Sequence, residues 1–352
     1  MHTLIIPAAG LSTRFPNTRP KYMLTHPRGG SMLINSISGL DLSRVDKILV
    51  TILDEHEQKY AISDLLTKEL EQTEKPFTIY RLGQHTNSQV ETVLKTIELA
   101  DLTLQDSISI NDTDNYFETD KISMSNSVLC VNLEETNTPV KVANKSYAVV
   151  DDFGILSNIV EKRVMSHLFC CGLYNFRNVG DFQKYSKIKT DKFNKTADYI
   201  SQVIYNMIMD DYKFDVYLAD NYLDWGDEES WNNYCNQFQT YFIDFDGCLA
   251  ESFSKFSESS RFPVPLPKNV KRISELSKSG FAKIIITTAR PYKELDLVQK
   301  FCQKYEIDVQ EIVMGCYHSA GRTIINDIGP ANKNPCRAIS LVRDADNLEK
   351  YV

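Results

Sequence analysis

The sequence contains no run of Lys or Arg and carries a formal net charge of −8 over its 352 residues. An acidic chain without a basic segment is a poor ligand for nucleic acid or an anionic membrane surface, so we expect neither as a partner. No stretch approaches the ~20 apolar residues that a membrane helix requires. The eight Cys residues show no zinc-type pairing, and the adjacent Cys170 and Cys171 lie in an apolar run that is typical of buried thiols.

The first residues, MHTLIIPAAG, lack the charged segment and the long apolar core of a signal peptide, and they indicate a strand that leads into a turn. We therefore expect a cytoplasmic protein. Apolar residues make up 42% and charged residues 24% of the chain, the composition of an ordinary folded protein. The length is sufficient for two domains that each bury a core.

Apolar runs alternate with segments of helical periodicity along the whole chain. The predicted strands are LIIPAAG, KILVTILDEH, FTIYRLG, SISIND, YAVVDD, VMSHLFCCGLYNF, FDVYLAD, the run from Tyr241, AKIIITTA, EIVMG and RTIIND. The predicted helices are EQKYAISDLLTKELEQ, SQVETVLKTIELA, ADYISQVIYNMIMDDY, KNVKRISELSKSG and KELDLVQKFCQKYE. This alternation predicts an α/β protein of two Rossmann-like three-layer domains with largely parallel sheets. Because the alternation restarts at Tyr241, we place the boundary near residue 238 and the domains at 1–238 and 239–352.

A glycine-containing loop, PAAGLSTRFPNTRPK, follows the first predicted strand. The small residues Ala8, Ala9 and Gly10 allow a nucleotide to approach the backbone closely, at the sheet edge where open α/β sheets bind ligands. Arg14 and Lys21 bring cationic donors to the same loop, which suits a triphosphate. A surface turn with an incidental arginine and lysine is the alternative interpretation.

This loop resembles the signature G-x-G-T-R-x-x-P-x-T-x-x-x-P-K of the sugar-nucleotidyltransferase family. The match covers Gly10, Thr13, Arg14, Pro20 and Lys21. Ser12 stands where the family has its second glycine, and the interval before the lysine is shorter, so we expect the phosphate loop to differ in detail. The resemblance implies a mixed sheet in the N-terminal domain and an activity that joins a nucleotide to a phosphorylated small molecule.

Further segments resemble the same family in the family's order. In SISINDTDNYF the resemblance implies that Asp114 binds a metal ion, with Asp112 as the alternative, and in NYLDWGDEESW it implies that Asp224 is the partner ligand. Two carboxylates from separate strands can hold a Mg²⁺ ion and leave other positions to water or substrate. SNIVEKRVMSHLFCCGLYNF resembles the family's Glu-Lys strand, which implies that Lys162 contacts the acceptor phosphate.

HTNSQVETVLKTIE resembles the turn and helix that recognise the base, and its candidate residues are Gln84, Ser88 and Gln89. The implied reaction is an in-line attack by a phosphate oxygen of the acceptor on the α-phosphorus of an NTP, with pyrophosphate leaving. Positioning and charge neutralisation carry such a reaction without a covalent enzyme group. Arg14 and Lys21 would stabilise the leaving pyrophosphate.

The stretch YFIDFDGCLAES places two carboxylates at the end of an apolar strand. Asp244 and Asp246 are two residues apart and so point to the same side, while Phe245 points the opposite way into packing. Gly247 allows the chain to turn sharply around a pocket for an anion and a metal ion. A carboxylate-rich turn without a function is the alternative interpretation.

YFIDFDGCLAES resembles the D-x-D-G motif of the haloacid dehalogenase (HAD) phosphatase superfamily. That resemblance implies that Asp244 attacks phosphorus and that Asp246 acts as general acid and then base. KIIITTAR resembles the second motif, with Thr288 preferred to Thr287 as the residue nearer the loop, and RTIINDIG resembles the fourth. There Asp327 would complete a Mg²⁺ site with Asp244 and Asp246, the latter through its backbone.

The third motif of the superfamily, a Lys or Arg that neutralises the phosphoryl charge, has no direct counterpart. Gly315, Cys316 and Tyr317 stand where related capsule-biosynthesis phosphatases have Gly-Lys-Pro. Arg322 or Arg290 could supply the charge. The motif intervals leave no room for an inserted lid domain, so the resemblance implies a smaller, capless HAD-like domain whose open site admits bulky, nucleotide-linked substrates.

These features predict a bifunctional, Mg²⁺-dependent enzyme that makes a precursor for surface polysaccharide. One domain would transfer a nucleotidyl group from an NTP to a sugar or polyol phosphate, and the other would remove a phosphate from the precursor or the product. CTP is favoured because the N-terminal domain is small and no hexapeptide-repeat helix follows it. A catalytically silent HAD domain that serves oligomerisation or regulation is the alternative, and the sequence leaves homo-oligomerisation, the acceptor and the order of steps open.

Overall fold

The computed structural model describes residues 1–16, 18–136, 140–188, 198–252, 262–318, 320–327 and 336–352. The chain divides into two compact units, Met1–Trp231 and Asn232–Val352. This division lies a few residues before the boundary near residue 238 that the alternation of elements predicts. Among the described residues, no helix combines the length and the apolar composition that crossing a membrane would require.

The first unit alternates strands and helices. Its strands are β1 (His2–Pro7), β2 (Lys47–Leu53), β3 (Phe77–Leu82), β4 (Ser107–Asn111), β5 (Asn115–Glu118), β6 (Ser127–Asn132), β7 (Ser146–Val150), β8 (Leu156–Glu161), β9 (Leu168–Phe176), β10 (Asp215–Leu218) and β11 (Asp220–Asp224). Its helices are α1 (Met32–Ile37), α2 (Asp54–Tyr60), α3 (Ile62–Glu71), α4 (Gln89–Leu99), α5 (Val179–Ser186) and α6 (Ile200–Ile208). Helix α7 (Glu228–Cys235) contains the point of division between the units.

The main sheet of the first unit is mixed. Its strands lie in the order β10-β6-β9-β4-β1-β2-β3, and β7 and β8 form a hairpin that joins the sheet through β9. Strands β4, β1, β2 and β3 are parallel, whereas β9 runs antiparallel to both β4 and β6. Strands β5 and β11 form a separate antiparallel pair. The predicted α/β class with a mixed sheet is therefore confirmed for this unit.

Helices cover both faces of this sheet. Alternate residues of β1 belong to different cores, because successive side chains of a strand point to opposite faces. Ile5 packs in a cluster with α4, α5 and α6, whereas Leu4 and Ile6 pack in a second cluster with α1 and α3. A strand buried on both faces is apolar throughout, which explains the continuous apolar runs of the sequence.

Two predicted helices differ from the observed ones. The single helix expected over EQKYAISDLLTKELEQ is two helices, because Ala61 between α2 and α3 adopts a left-handed conformation with φ 49°. Helix α6 covers Ile200–Ile208, which is shorter than the predicted ADYISQVIYNMIMDDY; its C-cap is Met209, and two residues later Asp211 takes a positive φ of 64°. In both cases a residue in a backbone region that L-residues rarely adopt follows the helix.

The second unit contains a parallel sheet in the order β12 (Gln239–Asp244), β13 (Ala282–Thr287) and β14 (Glu311–Val313). Helices α8 (Pro267–Lys278) and α9 (Leu295–Lys304) connect these strands. The core contains Phe245, Ile273 and Phe301, each fully buried. The predicted strand RTIIND is wrong: residues 321–327 are exposed and have no regular secondary structure.

Candidate active sites

A cavity of about 600 Å³ opens at the carboxyl ends of β1 and β4 in the first unit. The sequence-predicted residues that line it are Ala8, Gly10, Arg14, Lys21, Ser88, Gln89, Asp112, Asp114, Lys162 and Asp224. Ala9 and Gln84 are not part of the described lining: Ala9 is buried in a small cluster with Leu53 and Leu82, and Gln84 is exposed. The fold thus brings together residues that are more than 200 positions apart, such as Ala8 and Asp224.

The loop after β1 has a backbone that suits close approach of a ligand. A Cβ atom on Gly10 would meet no described atom within 4 Å, so the space beside this residue is open. Ser12, which replaces the expected second glycine, adopts a positive φ of 51°, in the region that favours glycine. Its hydroxyl accepts a hydrogen bond from the Lys21 backbone N–H at 3.0 Å. Ser12 therefore adopts a backbone conformation that a glycine would favour, and its hydroxyl also joins the two ends of the loop.

Asp114 is held by two cations of this loop. Its Oδ2 atom lies 2.6 Å from Lys21 Nζ and 3.0 Å from Arg14 Nη2. Burial opposes ionisation here, but Lys21 and Arg14 outweigh it and hold the pKa of Asp114 well below its usual range. Asp114 is therefore ionised at neutral pH in the structure.

Asp112, the alternative metal ligand, has the opposite electrostatic environment. Burial and the neighbouring Asp114 charge raise the pKa of Asp112 to about 6. The Gln89 side chain donates a hydrogen bond to Asp112 Oδ1. A Cβ atom on Gly172, in strand β9, would lie 2.8 Å from Asp112 Oδ2, so this glycine leaves the room that the carboxylate occupies.

Asp224 reaches the same cavity from the second, smaller sheet. Strand β11 pairs with β5 so that Asp224 lies opposite Asn115, one residue after Asp114. Asp224 Oδ1 accepts a hydrogen bond from the Gly226 N–H at 3.1 Å. A Cβ atom on Gly226 would lie 3.1 Å from Asp224 Oδ1 and 3.7 Å from Asp114 Oδ2. The two carboxylates therefore face a common space that any side chain at position 226 would fill.

Lys145 is a cavity residue that the sequence analysis missed. Its Nζ atom lies 3.1 Å from Asp224 Oδ2 and donates to the Tyr222 hydroxyl at 2.6 Å. Burial alone would favour the neutral amine, but Tyr222 and Asp224 raise the pKa of Lys145 above its ordinary value. The available signal was a lysine immediately before the apolar strand SYAVV, which gives no indication of the distant partner on β11.

These residues fit a divalent cation as a partial ligand set. Asp114 and Asp224 provide hard carboxylate oxygens that face the space beside Gly226, and such oxygens suit Mg²⁺. Among the described residues, no group of three or more His, Cys, Asp or Glu side chains could hold a metal ion. Protein ligands would therefore number two, and substrate phosphates and water would supply the rest, which is the usual arrangement for Mg²⁺ at phosphate-transfer sites.

The β7–β8 hairpin forms another wall of the cavity. The Ser201 hydroxyl donates to Glu161 Oε2 at 2.7 Å, and the Ser146 hydroxyl donates to the same oxygen. Lys162, at the end of this hairpin, has a positive φ of 55° and donates to the Tyr199 hydroxyl, with its Nζ atom 4.3 Å from the centre of the Tyr199 ring. Sequence reasoning found Lys162 but missed the two serines and the tyrosine. Ser146 begins β7, Ser201 lies in α6 and Tyr199 is the N-cap of that helix, so no local pattern relates them to Lys162.

Some side chains of the predicted base-recognition segment stabilise the local fold of the segment itself. Ser88 is the N-cap of α4, and its hydroxyl accepts a hydrogen bond from the Glu91 N–H at 3.1 Å. Thr86 and Thr92 share a buried hydrogen bond of 2.6 Å. The predicted segment lines the cavity with Thr86, Asn87, Ser88, Gln89 and Thr92. Thr86, Asn87 and Thr92 were not predicted.

In the second unit, Asp244 ends strand β12 and pairs with Arg322. Arg322 Nη2 lies 3.0 Å from Asp244 Oδ1, and both side chains are about 40% exposed. Burial and the neighbouring Asp246 raise the pKa of Asp244 above its ordinary value, although Arg322 opposes this shift. Of the two arginines proposed for the missing third motif, Arg322 is the one that contacts Asp244.

Arg290 instead holds Asp246. Its Nη2 atom lies 2.6 Å from Asp246 Oδ1, and its Nε atom donates to both oxygens at 3.0 and 3.1 Å. The buried Thr288 hydroxyl donates to Asp246 Oδ2 at 3.2 Å, while Thr287 ends β13 and donates towards the Ile243 carbonyl at 3.4 Å. The structure thus brings Thr288 to the D-x-D-G loop.

The predicted metal trio of the second unit is not assembled. Asp327 lies on the exposed segment 321–327, and its backbone N–H donates to Asn326 Oδ1 at 3.1 Å. No metal-binding group of three acidic, His or Cys side chains exists in the part of the chain that the structure describes. The carboxylate beside Gly247 is Asp344, whose N–H donates to the Gly247 carbonyl at 3.0 Å, and sequence reasoning missed it. The described residues therefore do not fit a metal site here.

No family model matches the chain, and no curated protein matches it. Solved structures do. A nucleoside-diphosphate-sugar pyrophosphorylase from Vibrio cholerae RC9 is 21% identical, with 66% of this chain and 98% of that chain covered, and the TM-score is 0.54. A Bacillus anthracis protein described as a glucose-1-phosphate thymidylyltransferase, in complex with a sucrose, is 15% identical over 66% of this chain and 93% of its own, with a TM-score of 0.52.

These structures cover 66% of this chain, which is about the fraction of the chain that the first unit, Met1–Trp231, represents. At these sequence identities the likeness establishes a common fold and no more. The mixed α/β sheet of the first unit fits the fold of these nucleotidyltransferases.

Proposed function

We propose that the first unit transfers a nucleotidyl group from an NTP to a phosphorylated small molecule, a sugar or polyol phosphate, and releases pyrophosphate. The observation that carries the proposal is the ion-pair cluster of the cavity: Asp114 with Arg14 and Lys21, facing Asp224 across the space beside Gly226. The cations of such a cluster can bind phosphate, and its carboxylates can bind a metal ion beside it. The fold shared with nucleotidyltransferases supports the same reaction.

The residues of the cavity have distinct roles in this reaction. An oxygen of the acceptor phosphate forms a bond to the α-phosphorus, and the bond from that phosphorus to the bridging oxygen of pyrophosphate breaks. Arg14 and Lys21 neutralise the charge that develops on the leaving pyrophosphate, and Lys162 holds the acceptor phosphate. Asp114 and Asp224 would hold Mg²⁺, which supplies further neutralisation of phosphate charge when bound.

CTP is the favoured nucleotide in this proposal. The reason is the small size of the first unit, Met1–Trp231, after which the sequence shows no hexapeptide repeat; GTP and UTP are the next candidates. A cavity of about 600 Å³ lies within the range of ~300–1,000 Å³ that is typical of sites for one small ligand. We place the reaction in the cytoplasm, in the synthesis of precursors for surface polysaccharide.

The second unit carries a second candidate function, removal of a phosphate from the precursor or from the nucleotide-linked product. The observation that favours it is Asp244 at a strand end, 3.0 Å from Arg322 and beside Asp246, which Thr288 and Arg290 hold. An Asp244 oxygen would bond to phosphorus while the ester bond breaks, and Asp246 would give a proton to the leaving oxygen. Water would then hydrolyse the aspartyl-phosphate and restore Asp244.

A silent second unit, with a role in oligomerisation or regulation, is the competing account. One experiment addresses both units: incubation of the full chain with each NTP and a panel of phosphorylated acceptors, with pyrophosphate and phosphate measured separately. Acceptor-dependent pyrophosphate release supports the first unit's activity, and phosphate release beyond that of an Asp244→Asn control supports the second. Release of neither product from any pair would overturn both proposals.

A further inference from the structure

Lys145 is the buried cation of the transferase cavity that the proposed reaction does not yet use. The Lys145 side chain is 15% exposed and that of its partner Asp224 is 5% exposed. A buried charge is tolerated when it is paired and hydrogen-bonded, and Lys145 meets both conditions through Asp224 and Tyr222. This arrangement joins the residue before β7 to two residues of β11, so it constrains the position of every group that it joins.

Lys145 connects two parts of the site through different atoms. Its Nζ atom contacts β11, the strand that carries Asp224, at 3.1 Å. Its backbone carbonyl accepts a hydrogen bond from the Lys162 N–H at 3.0 Å, at the end of the β7–β8 hairpin. Lys162 and Asp224 therefore share a single residue as their common support. In the proposed reaction Lys162 binds the acceptor phosphate, and Asp224 would bind the metal ion.

We propose that Lys145 is a positioning residue of the transferase site, which fixes the Asp224 carboxylate and sets its separation from Lys162. This inference rests on the proposed function of the first unit. Asp224 Oδ2 is held by Lys145 and Oδ1 by the Gly226 N–H, so the carboxylate has no freedom to rotate. Tyr222 completes the support, because its hydroxyl accepts a hydrogen bond from the ammonium group at 2.6 Å.

The kinetic test compares Lys145→Met with Lys145→Arg. Groups that orient a metal-binding carboxylate typically change activity by about 10–100-fold, so Lys145→Met should lower kcat by about 100-fold and leave KM for the NTP within about threefold. Lys145→Arg keeps the charge and should retain about a tenth or more of the wild-type kcat. Lys184→Met is the matched control, because Lys184 also donates to a tyrosine hydroxyl, that of Tyr185, at 2.9 Å and lies outside the cavity lining.

A second measurement does not depend on catalysis. Tyr222→Phe removes the hydroxyl that holds Lys145 without changing the charge of the site. Binding of Mn²⁺ in the presence of CTP, followed by electron paramagnetic resonance, should weaken by about tenfold in this variant. Thermal melting of each variant separates a change in positioning from a loss of folding.

The outcomes distinguish this inference from the proposed function. Wild-type kcat in Lys145→Met, or equal kcat losses in Lys145→Met and Lys184→Met, would overturn the role of Lys145 alone. If the wild type transfers no nucleotide but Tyr222→Phe still weakens the binding of Mn²⁺ and CTP, the transferase reaction is overturned and the role of Lys145 is supported. Unchanged Mn²⁺ affinity in Tyr222→Phe, or no Mn²⁺–CTP binding by the wild type, would overturn the inference.

Discussion

Asp114 in the first unit and Asp244 in the second each lie 3.0 Å from an arginine nitrogen, yet their pKa values shift in opposite directions. The pKa of Asp114 is lowered because Lys21 adds a second cation at 2.6 Å and outweighs burial. The pKa of Asp244 is raised because burial and the Asp246 carboxylate outweigh Arg322 and the smaller opposing contribution of Arg343. One ion pair therefore does not determine the state of a carboxylate; the sum of its neighbours does.

The difference fits the two proposed roles. A carboxylate that holds a metal ion must be ionised and fixed, and Asp114 is 12% exposed between two cations. A carboxylate that attacks phosphorus must be accessible, and Asp244 is 39% exposed. The cations of Asp114 lie on a loop tied by Ser12, whereas Arg322 lies on an irregular, exposed segment. We infer that the first site is preorganised and that the second depends on one exposed ion pair.

The largest expected effect comes from Asp244→Asn. The variant keeps the size of the side chain but removes the negative charge that makes the carboxylate a nucleophile, so phosphate release should fall by about 10⁴-fold or more, as for other lost nucleophiles. Pyrophosphate release from NTP and acceptor should stay within about twofold, because Asp244 lies outside the transferase cavity. Both products are measured on the same preparation, with folding checked by a thermal melt. Equal phosphate release by variant and wild type would favour the silent second unit.

Asp114→Asn is the reciprocal change. It removes the charge that Arg14 and Lys21 neutralise, and loss of one preorganised charge at a phosphoryl-transfer site lowers the rate by about 10³-fold. Pyrophosphate release should therefore fall by this factor, while hydrolysis of p-nitrophenyl phosphate should stay near the wild-type rate. A folded variant that loses both activities would contradict the independence of the two sites.

The two arginines of the second unit should separate activity from stability. Arg322→Ala removes an exposed ion pair worth about 0–1 kcal/mol to folding but should lower phosphate release by about 100-fold. Arg290, whose side chain is 13% exposed, is bound to Asp246 and Glu294, so Arg290→Ala should lower the unfolding free energy by about 3 kcal/mol. Chemical denaturation and phosphate release are measured for each variant. If Arg290→Ala instead lowered phosphate release and Arg322→Ala lowered the unfolding free energy, Arg290 would be the residue that supplies the missing third motif.

Acid should destabilise the first unit through two histidines. Burial, the main cause, lowers the pKa of both His2 and His26 to about 4. Between pH about 6.5 and about 4 the unfolded chain binds protons that these histidines do not bind when folded. The unfolding free energy should therefore fall as the pH falls through this window, by about 3 kcal/mol for each histidine. Fluorescence reports on this unit because both tryptophans of the chain, Trp225 and Trp231, belong to it.

His2→Gln is the control for that titration. The ring nitrogens of His2 contact the Ser107 and Ser109 hydroxyls at 2.7 and 2.9 Å, so the variant should lose some stability at every pH. Its slope between pH 6.5 and 4 should nevertheless be shallower than that of the wild type, because one of the groups that resist protonation has been removed. An unchanged slope would show that His2 is not the group that resists protonation.

Local patterns in the sequence predicted the site residues that lie after strand ends. Arg14, Lys21 and Asp114 follow strand ends, and the parallel strands β1 and β4 bring those ends together at one edge. Lys145 could not be predicted in the same way, because its partner Asp224 lies on β11 and no spacing relates the two. The resemblance to a family supplied Asp224, but it carried no information on the lysine that supports it.

The errors in the second unit have a related cause. RTIIND has the apolar residues of a strand, but a strand requires a neighbour, and residues 321–327 are exposed. Without that strand, Asp327 is not brought into a metal-binding group with Asp244 and Asp246 in the described chain. Asp344 reaches Gly247 instead through a backbone hydrogen bond of 3.0 Å, which side-chain pattern does not report.

The transfer of the α-phosphate is the most direct test of the central claim that the first unit is a nucleotidyltransferase. The full chain is incubated with Mg²⁺, CTP labelled at the α-phosphate, and a panel of sugar and polyol phosphates, and the labelled products are separated. The account predicts that the label enters a nucleotide-linked product in an acceptor-dependent way, and that Asp114→Asn lowers the rate of this transfer by about 10³-fold. Label that stays in CTP with every acceptor, and likewise in α-labelled GTP and UTP, or that appears as nucleoside monophosphate without an acceptor, would contradict it.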